Sequence, residues 1–131
     1  MSCHLLSLFF SDGCPLSPRW VKINFDASVS LDNLGIGIGC CVRDYNGTII
    51  FAASRFKPVS YSILFAELEA IAFGLLEGVD LGFSHIVTES DAKTAIDLIL
   101  SEKECFNEAG LFLIEIATLS SGLDVMFSFM P

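Results

Sequence analysis

The chain has 131 residues, of which 53% are hydrophobic, 12 are phenylalanine and only 18% are charged. That much apolar material excludes a disordered chain and suffices for one packed core, and the length leaves no room for a second domain of ordinary size. With 16 acidic against 7 basic residues the net charge is −9, the wrong sign for broad neutralisation of a phosphate backbone, so any contact with nucleic acid must be local.

Residues 1–18 carry Pro15 and Pro18 without periodicity and read as a loose lead-in to a domain spanning 19–131. From Trp20 onward, Val21, Ile23 and Phe25 alternate with Lys22, Asn24 and Asp26. This period of two predicts a strand with one buried face and puts Asp26 on the other. A second strand is expected over 35–42, where Ile36, Ile38, Cys40 and Val42 alternate with smaller residues. Asp44-Tyr45-Asn46-Gly47 reads as a hairpin loop into a third strand over 48–55. Turn chemistry also accounts for the sequon at Asn46, and glycosylation is not expected. The Gly35-x-Gly37 spacing does not make a dinucleotide loop, because Cys40 replaces the last glycine and a strand continues where a helix should begin.

Leu64, Leu68, Ile71 and Leu75 recur at helical spacing over 62–81, with Gly82 as a stop. Residues 83–89 predict a strand, and Ser90 or Asp91 then caps a helix with Ala92, Ala95, Ile96, Ile99 and Leu100 on one face. A further helix is expected over 107–119. Val125, Phe127 and Phe129 alternate in a last strand. The order β-β-β-α-β-α-α-β predicts an α/β domain with a mixed five-stranded sheet, three antiparallel strands first and parallel strands after, with flanking helices.

No apolar run approaches the ~18–20 residues of a membrane span, and residues 5–10 lack a basic flank, so the sequence reads as soluble and unsecreted. The five cysteines include no C-x-x-C pair, which argues for reduced thiols in the cytoplasm or nucleus. Cys40 and Cys41, adjacent on a strand, point to opposite faces and are read as packing. His85 has no histidine neighbour and is read as structural. Arg43 and Lys93 are candidate phosphate contacts, with Lys93 equally explained by a solvated helix face.

Asp26, Glu67 and Asp91 carry the chemistry in this reading. Each alone is an ordinary acid. Their places are not ordinary: Asp26 sits on the first strand, Glu67 near the start of the first long helix, and Asp91 directly after a strand, at the end where open α/β sheets form their ligand crevice. Metal-assisted phosphodiester cleavage needs several carboxylates together, since hard divalent ions prefer oxygen ligands.

The stretches Trp20-Val-Lys-Ile-Asn-Phe-Asp-Ala-Ser28, Gly35-Ile-Gly-Ile-Gly-Cys-Cys-Val-Arg-Asp-Tyr-Asn-Gly47, Ala66-Glu-Leu-Glu-Ala70 and Glu89-Ser-Asp91 resemble, as an ordered set, the ribonuclease-H-like (type 1) domain of plant proteins related to reverse transcriptases. The resemblance covers about residues 19 to 131. It implies the ribonuclease-H-like fold, with Asp26, Glu67 and Asp91 as catalytic ligands of Mg²⁺ (or Mn²⁺) that cut the RNA strand of an RNA–DNA hybrid. Glu69 and Glu89 fall beside the matched positions and are taken as flanking acids. The family pattern continues into a further helix with a fourth acidic or histidine position, and the sequence is expected to be truncated before it, at Pro131. Val125, Phe127 and Phe129 would then lack apolar cover on one side. Three alternatives stay open: a metal-dependent endonuclease, a catalytically silent, domesticated domain acting in nucleic-acid or protein binding, and a non-functional fragment.

Overall fold

The computed structural model describes residues 3–4, 18–30, 35–59, 62–101 and 108–131. In chain order the elements are β1 (Cys3–His4), β2 (Val21–Val29), β3 (Ile36–Arg43), β4 (Ile49–Lys57), α1 (Ile63–Asp80), β5 (His85–Ser90), α2 (Lys93–Ser101), α3 (Glu108–Ser120) and β6 (Asp124–Phe129). The strands form one sheet in the order β1-β6-β5-β2-β3-β4. β2, β3 and β4 make an antiparallel meander, while β5 runs parallel to β2 and β6 parallel to β5. All five expected strands form. Cys3–His4 adds a two-residue parallel strand against Val125 and Met126; the rest of the lead-in, residues 5–17, lies outside the described residues.

The meander follows from local chemistry. Asp44 Oδ1 accepts the backbone N–H groups of Asn46 and Thr48 at 2.9 and 3.0 Å. Gly47 takes a φ of 82°, which a side chain would resist. Among the described residues β4 pairs only with β3, so it is the margin of the sheet, and it exposes Ile49, Ile50 and Phe56.

All three helices contribute to one core. Leu68, Ile71 and Leu75 of α1, Ala95 and Ile96 of α2 and Ile116 of α3 are buried together with Ile23, Phe25, Ile38, Val42, Ile86, Val125 and Phe127. The sequence pattern predicts an apolar stripe on α1, yet every residue from Ala66 to Leu75 is buried. The reason is that the sheet covers one side of α1 while α3 packs along another, with the Phe65 and Phe112 rings 6.4 Å apart. The expectation that Val125 and Phe127 lack cover is also corrected. Both face the helices and are fully buried, and of the three only Phe129 is exposed. The opposite face of β5 and β6 presents Val87 and Met126, against which Trp20 packs. Among the described residues no helix is long and apolar enough to cross a membrane.

Candidate functional site

The site begins with a stripe of small residues. Ala66, Ala70, Gly74 and Gly78 recur every fourth position of α1 and are all buried, so they share one side of the helix. A Cβ at Gly74 would lie 2.1 Å from Phe25 Cε1, and one at Gly78 would lie 3.1 Å from Ile23 Cδ1. The helix backbone therefore rests directly on β2. Its first turn is fixed by Ser62, whose hydroxyl accepts the Phe65 N–H at 3.2 Å. Glu67 follows Ala66 and is drawn down with it, to 8% exposure.

Glu67 is anomalous electrostatically. Burial, then repulsion from Asp91, then repulsion from Asp26 raise its pKa to about 7. Its Oε2 is buried without a hydrogen-bond partner. Asp26, from β2, and Asp91, from the turn after β5, are both exposed. The Asp91 carboxylate is not the cap of α2. The Ser90 hydroxyl, not the Asp91 carboxylate, accepts the Ala92 N–H at 3.1 Å, and α2 starts only at Lys93. Two acids distant in sequence are thus brought within electrostatic range of Glu67.

Three carboxylates and an orphaned buried oxygen suit a hard cation. Among the described residues, however, no group of three or more His, Cys, Asp or Glu side chains is placed to hold a metal ion. What Asp26 and Asp91 share is proximity in charge to Glu67, a repulsion that a cation would relieve.

The flanking acids are bound elsewhere. Glu69 Oε2 lies 2.8 Å from Lys57 Nζ. Glu89, 4% exposed, has Lys22 Nζ at 3.6 Å and accepts from Asn24 Nδ2 at 3.5 Å. Lys93 Nζ is 2.8 Å from Asp97 on the exposed side of α2. Arg43 is half-buried at a register shift between β3 and β4. His85 pairs with Asp124 at 3.2 Å and meets Trp20 edge-on, at the end of β5 away from Asp91. Cys40 is a buried free thiol whose pKa burial pushes up to about 11, and Cys41 is free and half-buried. Gly35 and Gly37 serve packing: a Cβ at Gly35 would strike the Phe56 ring at 2.4 Å, and one at Gly37 would lie 3.0 Å from Ser28 Oγ.

Beside Asp26 the sheet carries an open groove that the sequence reading did not identify, lined in part by Ser28, Gly37, Gly39, Ser54 and Phe56. The polar alternation Asn24, Asp26, Ser28 was its only trace in sequence, because its far wall is β4 and becomes its neighbour only through strand register.

Residues 24–131 match the family model described as reverse transcriptase-like. Among curated proteins no sequence matches. Several solved structures share the fold. RNase H1 from the halophilic archaeon Halobacterium salinarum superposes with a TM-score of 0.77 at 17% identity, over 86% of each chain. The N-terminal RNase H domain of a Mycobacterium tuberculosis protein, solved as a fusion with maltose-binding protein, gives 0.76 at 17% identity over 86% of this chain and 83% of that one. LC11-RNase H1 in complex with an RNA/DNA hybrid gives 0.73 at 15% identity over 85% of each. The architecture is the RNase H-like fold: a mixed sheet flanked by three helices.

Proposed function

The chain belongs to the reverse transcriptase-like family, and from that premise we propose that it is a metal-dependent, endonuclease-like domain acting on the RNA strand of RNA–DNA hybrids. Asp26, Glu67 and Asp91 are the residues that would hold Mg²⁺, with Mn²⁺ as the other candidate. The observation that carries the proposal is Glu67 itself, a carboxyl whose pKa is raised to about 7 by burial first and by Asp91 and Asp26 after it, and whose buried Oε2 has no hydrogen-bond partner among the described residues. Groups so perturbed, where the fold could have supplied a lysine, mark functional sites. The same helix shows that it could, since Glu69 has Lys57. The solved complex of LC11-RNase H1 with a hybrid, and the plant-type motif set in the sequence, favour a hybrid as substrate.

A bound divalent ion would supply charge to polarise the scissile phosphate and to acidify water. The chain's own residues do the rest of what can be derived. Burial and the two neighbouring acids favour the protonated form of Glu67, and a bound cation would favour its carboxylate. Asp26 and Asp91, both exposed, offer oxygens from β2 and from the turn after β5, two strands that pair side by side in the sheet. Free thiols at Cys40 and Cys41 favour a cytoplasmic or nuclear, unsecreted protein.

A second reading is favoured by one observation: no group of three or more His, Cys, Asp or Glu side chains among the described residues is placed to hold a metal ion. In it the domain is catalytically silent and binds nucleic acid or protein. Calorimetric titration with Mg²⁺, together with cleavage of an end-labelled hybrid, separates the two. Heat of binding with cleavage supports the nuclease. A folded chain that binds no Mg²⁺ at several millimolar and leaves the hybrid intact supports the silent domain.

A further inference from the structure

The groove beside Asp26 has a regular construction that the proposed chemistry leaves unused. Strand register sets it out in two rungs: Asp26 opposite Gly39 and Gly39 opposite Ser54, then Ser28 opposite Gly37 and Gly37 opposite Phe56. Its floor consists of two glycines. A Cβ at Gly39 would meet nothing closer than Ala53 O at 3.6 Å, so a side chain could be accommodated there, and its absence leaves the floor open. Hydroxyls of Ser28 and Ser54 line it, and Asp26 closes one end.

At the other end stands Phe56, 66% exposed. Its ring lies over Gly35, where an added Cβ would come within 2.4 Å of Phe56 Cζ. One side of the ring is thereby held while most of it is offered to solvent. Arg55 also borders the groove, but its guanidinium is turned over the Phe73 ring, 4.8 Å from the centroid. Beyond the Asp26 carboxylate at one end, the groove therefore presents an aromatic ring and hydroxyl groups. For a protein with net charge −9, an exposed aromatic ring is a contact to a nucleic-acid strand that needs no neutralised phosphate, because every base has a stacking face.

We propose that this strip of sheet is a strand-binding subsite: it receives the nucleic-acid strand leading away from the scissile position, with a base stacked on Phe56 and sugar or phosphate oxygens on Ser28 and Ser54. Two strand spacings and two residues separate Asp26 from Phe56, a diagonal of roughly 12 Å. That is three to four base steps at about 3.4 Å each. The subsite rests on the functional reading above and deepens it, with Phe56 as an affinity determinant rather than a catalytic residue.

The test is fluorescence anisotropy of a labelled RNA–DNA hybrid with a single-stranded extension, with Mg²⁺, in an Asp91→Asn background that prevents turnover. Phe56→Ala is expected to weaken binding by about 5- to 150-fold, the range for losing one base stack. Phe56→Trp should bind within a few-fold of the parent and show quenched emission on binding. Gly39→Ala should weaken binding while leaving the melting temperature unchanged. If the parent binds the hybrid but Phe56→Ala binds it equally and the tryptophan emission does not move, the subsite is overturned and the functional reading stands. A change only in sedimentation for Phe56→Ala would assign the ring to a protein contact and also overturn it. A parent that binds no hybrid overturns both.

Discussion

Glu67 and Glu69 stand two residues apart on α1, both 8% exposed, and the protein treats them in opposite ways. Glu69 Oε2 lies 2.8 Å from Lys57 Nζ, whereas Glu67 Oε2 is buried with no hydrogen-bond partner and feels Asp91 and Asp26 instead. One acid holds β4 to the helix. The other has no such partner among the described residues.

If the three acids act together, removing the charge of either outer one removes activity. Asp26→Asn and Asp91→Asn are each expected to lower Mg²⁺-dependent cleavage of a labelled hybrid by at least ~100-fold, the usual scale for losing a group that stabilises charge in the transition state. Both variants should keep the parent's circular dichroism spectrum, since both side chains are exposed. Cleavage that survives in both would remove the assignment.

Glu67 makes stability depend on pH in a definite sense. Its pKa is raised from 4.5 to about 7, so between those values the folded chain binds more protons than the unfolded one. This contribution is fully present below about pH 4.5 and is lost as pH rises through about 7. In EDTA, Glu67→Gln should melt higher than the parent at pH 8, with the gap closing by pH 5. Mg²⁺ affinity should rise across the same window and then level off. Thermal melts showing an equal gap at both pH values would contradict this.

Gly74→Ala tests how closely α1 rests on β2. The new methyl would sit 2.1 Å from Phe25 Cε1, so either the ring or the helix must shift. A loss of about 1–3 kcal/mol is expected, the usual cost of overpacking a core. Urea denaturation would measure it, and adding Phe25→Leu should recover part of the loss. Additive losses in the double variant would mean the two positions do not meet.

The ion pair between β4 and α1 should respond asymmetrically. Lys57→Met removes a cation from a buried carboxylate that already has one oxygen, Oε1, without a hydrogen bond. Because Lys57 is one-third exposed, the cost is discounted from the fully buried case to about 2 kcal/mol. Glu69→Gln keeps the shape, leaves a lysine that can reach water, and should cost less. Chemical denaturation of both variants checks the order; equal losses would refute it.

Much of this architecture was legible in sequence. Alternation along Val21, Ile23 and Phe25 fixed which side of β2 is buried, and that in turn fixed the side on which Asp26 stands. The four-residue spacing of Leu64 and Leu68 gave α1, and the ordered motifs gave the three acids. What escaped depends on partners remote in the chain. Nothing local to Gly74 announces Phe25, nothing near Glu69 announces Lys57, and nothing near Asp26 announces Phe56. The misjudged cover over Val125 and Phe127 has the same origin. Alternation says that one side of a strand is apolar, but only the placement of α2 decides that this side is the one already filled.

The bare margin at β4 carries a consequence for handling the protein. From Ile49 to Ser54 it holds no ionisable side chain, and two of its isoleucines are exposed. Such a border invites foreign strands to add on, the first step toward fibrils. A lysine in place of Ile50 would blunt that border at little cost to packing and keep concentrated preparations clear.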